Sequence, residues 1–340
     1  MRIRIIAPLQ FLSIKKTINN VLNSNFQIVS QMDGIFGKNF DHPKFRNAFG
    51  QILINKILNS PCIFYDGDSN ELLSFFGEST PYETLENISG TLTSFLGVIW
   101  LLKDHSITLG DIIMVIGEVK ANSFYIHRRY VLFSNSQGSY VTTELMQNDI
   151  ELSNSLFAYL ASTNRKIENP IEIIRNNTLK DGTTTIRNKI NFAAYDYERI
   201  QRAMLMLNIG RQASFLPIKI SQYVVLLESL TSTDENTEVT HQVSERVANL
   251  VGSNKEEKYQ IYKDVKEAYS IRSKFLHGQK LKHRHGKKMI PISMEYMSNV
   301  SQNIDKIARR VLNESIAKLD LFNGPDEDLR NFFTSGLFSD

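Results

Sequence analysis

Tyr269-Ser270-Ile271-Arg272-Ser273-Lys274-Phe275-Leu276-His277-Gly278 is the stretch on which the reading of this 340-residue chain turns. It reads as the end of a helix, with Gly278 as the stop. Arg272 and His277 stand five residues apart on it. No Asp or Glu falls between Glu267 and Glu295, whereas Arg272, Lys274, Lys280, Lys282, Arg284, Lys287 and Lys288 do, together with His277, His283 and His285. A titratable imidazole set in local positive charge points to chemistry on a polyanion.

Residues five apart on a helix point about 140° from each other and are about 7.5 Å apart along the axis. Ser273 and His277, four apart, share a face, while the long Arg272 side chain can swing its guanidinium towards the same groove. If two such helices pack across a two-fold axis, as in a homodimer, both Arg and both His can line one cleft. The site suits RNA cleavage without a metal. RNA carries its own nucleophile, the 2′-OH, and an imidazole can take its proton or supply one to the leaving 5′-oxygen. An Arg fork holds the phosphate oxygens. Lys274, Lys280, Lys282 and Arg284 are placed to follow the RNA backbone, with a salt-sensitive grip. No metal or cofactor is expected, because no Cys or acid completes a ligand set around His277, His283 and His285. The competing reading is structural: a cation is favourable at a helix C-terminus, so His277 caps the helix, Arg272 joins an ion pair, and Lys280–Lys288 form a solvated loop.

Composition sets the frame. Hydrophobic content of 42% and charge of 22% are ordinary for a soluble globular chain, and the length suggests two domains. A net charge of +3 does not by itself imply nucleic-acid binding. The single cysteine, Cys62, excludes an internal disulfide and fits a cytoplasmic location. It reads as a small buried strand residue rather than a nucleophile. The N-terminal apolar run is too short for a secretory signal. Asn87–Leu102 is about 16 residues against the roughly 20 a span needs, so it reads as a core helix and no membrane partner is expected.

Residues 1–180 read as a mixed α+β domain that senses a trigger or selects a substrate. Arg2–Ala7 is a first strand, Ser13–Val29 is helix-like but weakened by its Asn residues, and Phe49–Leu58 is a helix. Cys62–Tyr65 is a strand closed by an Asp66-Gly67 turn. Pro81–Leu102 is the core helix, followed by strands at Ile112–Val119 and Phe124–Phe133. A helix at Asp149–Ser162 carries Leu152, Leu156, Tyr159 and Leu160 on one side. Nothing here has the spacing of a phosphate loop, a zinc site or a dinucleotide fingerprint. Polar Asn164–Thr185 marks a boundary. Residues 186–322 then form an all-α bundle. Its helices lie at Asn191–Asn208 and from Pro217 to Leu230, at His241–Val251 with Thr240 as cap and Gly252 as stop, from a Ser253 cap to His277, and at Ile292–Asp320. A basic hairpin or loop, Gln279–Lys288, joins the last two. Residues 323–340 read as a peripheral tail.

Three pieces of the second half carry a family resemblance: Leu227-Glu228-Ser229-Leu230; Thr240-His241 followed by Arg246-Val247-Ala248-Asn249-Leu250-Val251-Gly252; and Tyr269 with Arg272-Ser273-Lys274-Phe275-Leu276-His277-Gly278. Together they resemble a HEPN domain, most closely the Apea-like HEPN group, over roughly Ala194 to Leu319. The last piece fits that family's Arg-x4-His signature. The resemblance implies a dimerising helical bundle acting as a metal-independent endoribonuclease in toxin or anti-phage defence systems, under a trigger or inhibitor protein. It makes Arg272 and His277 catalytic. Ser273 stands where many members carry Asn, Asp or His, and is the candidate third catalytic residue. Glu228 matches a recurrent acid that orients a base or binds Arg272. Some members of the superfamily are non-catalytic, so the alternative is an inactive HEPN dimerisation or RNA-binding module serving a partner protein.

Overall fold

A computed structural model describes residues 2–30, 43–70, 72, 80–117, 124–129, 131–163, 171–178, 184–190, 197–233, 239–285 and 288–336. The chain begins with β1 (Arg2–Gln10), β2 (Leu12–Ser13), β3 (Ile18–Val21) and β4 (Phe26–Val29). It continues through α1 (Pro43–Leu58), β5 (Cys62–Asp68), α2 (Pro81–Leu102), β6 (Thr108–Leu109), β7 (Ile112–Ile116) and β8 (Phe124–His127). Next come β9 (Thr143–Glu144), α3 (Gln147–Thr163) and a hairpin of β10 (Ile171–Thr178) and β11 (Thr184–Ile190). The second half is α4 (Arg199–Gln212), α5 (Leu216–Thr231), α6 (Val239–Val251), α7 (Lys255–Leu276), β12 (Lys282–His285), β13 (Lys288–Pro291), α8 (Met294–Ala317), α9 (Leu319–Phe322) and α10 (Asp326–Gly336). The architecture is therefore an α+β half followed by a mainly helical half.

The main sheet is antiparallel in the order β3-β4-β5-β1-β7-β8, with β6 also paired to β1. Ile5 of β1 sits opposite Tyr65 of β5 and Met114 of β7. Alternation along β1 sends Ile3, Ile5 and Ala7 to one face and Ile6 to the other. The first face packs on Leu85, Ile88, Leu92 and Phe95 of α2, the second on Phe45, Phe49, Leu53 and Ile57 of α1. The sheet is thus covered on both sides.

Four expectations for this half are corrected. Ser13–Val29 forms the β3–β4 hairpin rather than a helix, with positive φ at Asn20, Leu22 and Asn23. Asn tolerates that left-handed backbone, and Asn154 of α3 clamps the turn by accepting from the Leu22 N–H at 2.8 Å and donating to the Asn20 carbonyl at 2.5 Å. Asp66-Gly67 is not a turn. Both lie inside β5, opposite Arg4 and Ile3, and a Cβ on Gly67 would come within 2.4 Å of the Tyr65 hydroxyl. On α3, Leu152 and Tyr159 are exposed, and the buried side is Ile150, Ser153, Asn154 and Leu160. Strand β8 ends at His127 rather than Phe133, and residues 118–119 of the Ile112–Val119 expectation lie outside the described residues.

Helix α2 serves both halves. Thr80 and Glu83 form a capping box at its start. Its Leu85, Ile88, Leu92 and Phe95 sit under the sheet, while Val98, Trp100 and Leu101 join the core of the helical half. Among the described residues it is the one helix long and apolar enough to cross a membrane, and 61% of its apolar window is buried inside the protein.

In the helical half, Leu207, Tyr223, Val224, Leu227, Val247, Val265, Ala268, Ile271, Ile304, Val311 and Leu312 make one core. Pro217 stands in the first turn of α5, where its missing N–H costs nothing. Helix α6 begins at Val239, so Thr240 lies inside it. Asn254, not Ser253, caps α7, accepting from the Glu257 N–H at 2.9 Å; Ser253 instead donates to the Glu257 carboxylate. The segment expected to be a peripheral tail contains α10, whose Leu329 and Phe333 are buried in the core, because both fall on one face of that helix. The expected boundary, 164–185, overlaps the β10–β11 hairpin.

Candidate functional site

Helix α7 carries most of the candidate residues. It ends in a left-handed glycine cap: Gly278 has φ +66°, its N–H donates to the Phe275 carbonyl at 3.1 Å, and the Gln279 N–H donates to the Lys274 carbonyl at 2.8 Å. This closure puts His277 at the C-cap, on the helix end where a cation is favoured. Its side chain is exposed. The Ser273 side chain is exposed one turn earlier.

Arg272 points elsewhere. Its Nη1 donates to Oε1 of Glu228 on α5 at 2.5 Å, and both side chains are about three-quarters buried, at 25% and 22% exposure. The guanidinium also lies 5.9 Å from the centre of the Tyr269 ring. Burial, and next the Glu228 carboxylate, push the Tyr269 phenol well above its ordinary range. Its hydroxyl is buried and falls short of a well-formed hydrogen bond. Arg272 is therefore oriented by a carboxylate, on a part of the helix surface about 140° around the axis from His277. Glu228 also lines a cleft of about 390 Å³ with Arg199, Arg202, Ser232, Asn323 and Asp326. Within that cleft Arg199 is tied to Asp326 at 2.5 Å and to the Ser232 carbonyl at 2.6 Å.

The remaining bases surround the end of α7. Lys274 donates to the Lys282 carbonyl at 2.7 Å, fastening the β12–β13 hairpin to the helix. Lys280 is exposed and Lys282 half-buried. The side chain of Arg284 lies outside the described residues, as does Lys287. His283 stacks on Tyr296 of α8, ring centres 4.0 Å apart and planes at 21°. Beside His277, Leu276 is 61% exposed, and Phe275 meets the ring of exposed Phe215 at 5.7 Å.

One chain thus brings Arg272 and Glu228 together and leaves His277 and Ser273 on a different side of α7. Reading the sequence missed a third group, Tyr259, Tyr262 and Tyr296, which line a groove between α7 and α8. The available signal was a Tyr followed four residues later by a Lys, twice over: Tyr259 with Lys263 and Tyr262 with Lys266. Comparison with protein-family models, with curated proteins and with solved structures gives no match.

Proposed function

We propose that this chain is a HEPN-type, metal-independent endoribonuclease that works as a homodimer in the cytoplasm, in a toxin or anti-phage role. The observation that carries the reading is the pairing of an exposed imidazole at a basic helix end, His277, with a guanidinium already aimed by a carboxylate, Arg272 on Glu228. In the proposed reaction His277 takes the proton of the ribose 2′-OH. The 2′-oxygen attacks phosphorus, the bond to the 5′-oxygen breaks, and that oxygen receives a proton from an imidazole acting as acid. Arg272 binds the non-bridging oxygens and stabilises the charge gathered there. The products are a 2′,3′-cyclic phosphate and a 5′-OH. Ser273, exposed on the His277 side, is placed to donate a hydrogen bond to the same phosphate.

The proposal sets the site between two chains, and the geometry of α7 supports that. The face carrying His277 and the face carrying Arg272 diverge within one chain, so a second copy is needed to present one beside the other. Exposed apolar side chains near the helix end, Leu276, Phe215 and Ile218, offer a surface for that copy. The second reading is an inactive RNA-binding or dimerisation module serving a partner protein. It is favoured by the same ion pair, since Arg272 is neutralised by Glu228 before any phosphate arrives.

The deciding experiment incubates purified wild type, His277→Ala and Arg272→Ala with total cellular RNA and maps the new ends. The proposal expects cyclic-phosphate ends from the wild type and at least about a hundred-fold less cutting by either variant, the ordinary scale for losing a general acid–base group. Equal cutting by His277→Ala overturns the catalytic role given to that residue, and tight RNA binding with no cutting by the wild type gives the case to the binding module.

A further inference from the structure

We propose that the outer face of α7, with its groove against α8, is a track for single-stranded RNA, bases stacking on Tyr259, Tyr262 and the Tyr296–His283 pair and phosphates on Lys263 and Lys266. This rests on the nuclease reading for its ligand class, but not on His277 being catalytic.

Helical geometry supplies the first argument. At about 100° per residue, Tyr259, Tyr262, Lys263, Lys266, Ser270, Ser273 and His277 all fall within about 60° of one line along α7. Tyr259 and His277, eighteen residues apart, are five whole turns apart and share an azimuth, separated by about 27 Å of helix. The stripe is therefore an exposed aromatic and basic surface that ends at the proposed general base. Arg272 is not on it.

The groove supplies the second. It encloses about 910 Å³ between α7 and α8. The two helices run antiparallel, since Glu257 of α7 pairs with Arg310 of α8 at 2.7 Å while the other end of the groove holds Glu267 and Tyr296. Tyr259 is 60% exposed. Lys263 lies 4.0 Å from the centre of the Tyr259 ring and Lys266 lies 5.2 Å from that of Tyr262. Each ammonium is thus parked on an aromatic face, loosely enough to move to a phosphate while a base takes its place. His283 on Tyr296 continues the aromatic surface to the β12–β13 hairpin and its bases.

Two acids also line the groove, Asp264 and Glu267. Asp264 accepts from Gln260 at 2.9 Å. The Glu267 carboxylate lies against the Tyr296 hydroxyl, while its Oε1 is buried with no hydrogen-bond partner of its own. The amino edge of a stacked base is a donor that suits it. A duplex hides those edges and both base faces, so the groove selects single strands.

The test uses the full-length protein and a labelled, 2′-O-methylated single strand of about ten nucleotides, a length typical of single-strand sites, which carries no free 2′-OH and is not cut. The variants are Tyr259→Ala and the pair Lys263→Gln/Lys266→Gln, all at exposed positions whose loss leaves the core intact. Wild type is expected to bind the strand better than the matching duplex. Tyr259→Ala is expected to weaken binding about ten-fold, the scale of one lost stack. The lysine pair is expected to reduce the slope of log K against log salt by about 1.4. Unchanged affinity in Tyr259→Ala, or equal binding of duplex, overturns the track, and the nuclease reading survives if His277→Ala still loses cutting. Strand binding that depends on Tyr259 in a protein that never cuts RNA upholds the track and removes the nuclease. A groove that binds no RNA and instead captures a protein segment also overturns it.

Discussion

A single carboxylate decides what Arg272 is free to do. Glu228 holds the guanidinium at 2.5 Å in a setting mostly shielded from water, so the pair acts as a positioning device for Arg272. Removing Glu228 strands a part-buried cation beside Tyr269. We expect Glu228→Ala to cost about 1–2 kcal/mol in urea unfolding, and the double variant with Arg272→Ala to recover part of that loss, since the uncompensated charge goes with it. A double variant no more stable than Glu228→Ala would mean the two side chains are not coupled. Lys219 gives a second residue-scale test. It is fully buried, donates to the Gly210 carbonyl at 2.9 Å, and burial brings its pKa down to about 8. In the unfolded chain a lysine holds its proton to about pH 10. Between those values the unfolded state binds more protons, so stability contributed at this site rises with pH, by up to about 1.4 kcal/mol per unit, and is level below pH 8. Unfolding free energies of wild type and Lys219→Met measured from pH 7 to 10 should converge or cross in the wild type's favour as pH rises. A difference constant across that range would contradict the burial argument.

At the scale of elements, the end of α7 is set by one glycine. Gly278 adopts φ +66° with open space where a Cβ would go, so Gly278→Ala costs only backbone strain, about 1–2 kcal/mol. We expect faster amide exchange in the last turn of α7 and weaker RNA cutting, with the rest of the bundle unchanged. Protection at Leu276 and His277 equal to wild type would show that the cap does not hold this turn. This stop was legible because glycine after an apolar-periodic run has one physical meaning. Pro217 and the core nature of α2 were legible for similar reasons: each is local, or rests on one uninterrupted run. Residues 18–29 were not, because the asparagines that weaken a helix are the same ones that turn a hairpin, and the clamp comes from Asn154 far along the chain. The burial of α10 was hidden too, since Leu329 and Phe333 stand among charges and reveal their face only once a core is present. Of the site, the basic helix end could be read directly. The Arg272–Glu228 contact joins residues 44 apart, and the sequence offered it only as one of two roles that the family resemblance implied for Glu228.

For the whole molecule the question is whether one chain is enough. The two halves do not move as strangers: Asp305 of α8 accepts from Trp100 of α2 at 3.1 Å and from Tyr223 at 2.7 Å, and is paired with Arg309. Asp305→Ala, which leaves the buried Trp100 and Tyr223 donors and the part-buried Arg309 without their acceptor, should cost about 3–5 kcal/mol and should unfold both halves in one transition by calorimetry. Two separate transitions in the wild type would mean the junction does not couple them. Rigid coupling of this kind cannot bring His277 round to Arg272, because both are fixed to the same helix on faces about 140° apart. A composite site therefore has to come from a second chain. The surface available for it is apolar: Leu276 and Phe215 are 61% and 57% exposed, and Ile218, Leu205 and Ile209 are exposed on α4 and α5. Placing charge there, as Ile218→Asp with Leu276→Asp, leaves the buried core untouched and should give a folded monomer by sedimentation with no RNA cutting. Mixing inactive His277→Ala with inactive Arg272→Ala should restore part of the activity, since a heterodimer carries one complete half-site. If the wild type sediments as a monomer at the concentration where it cuts RNA, the two-chain site is wrong.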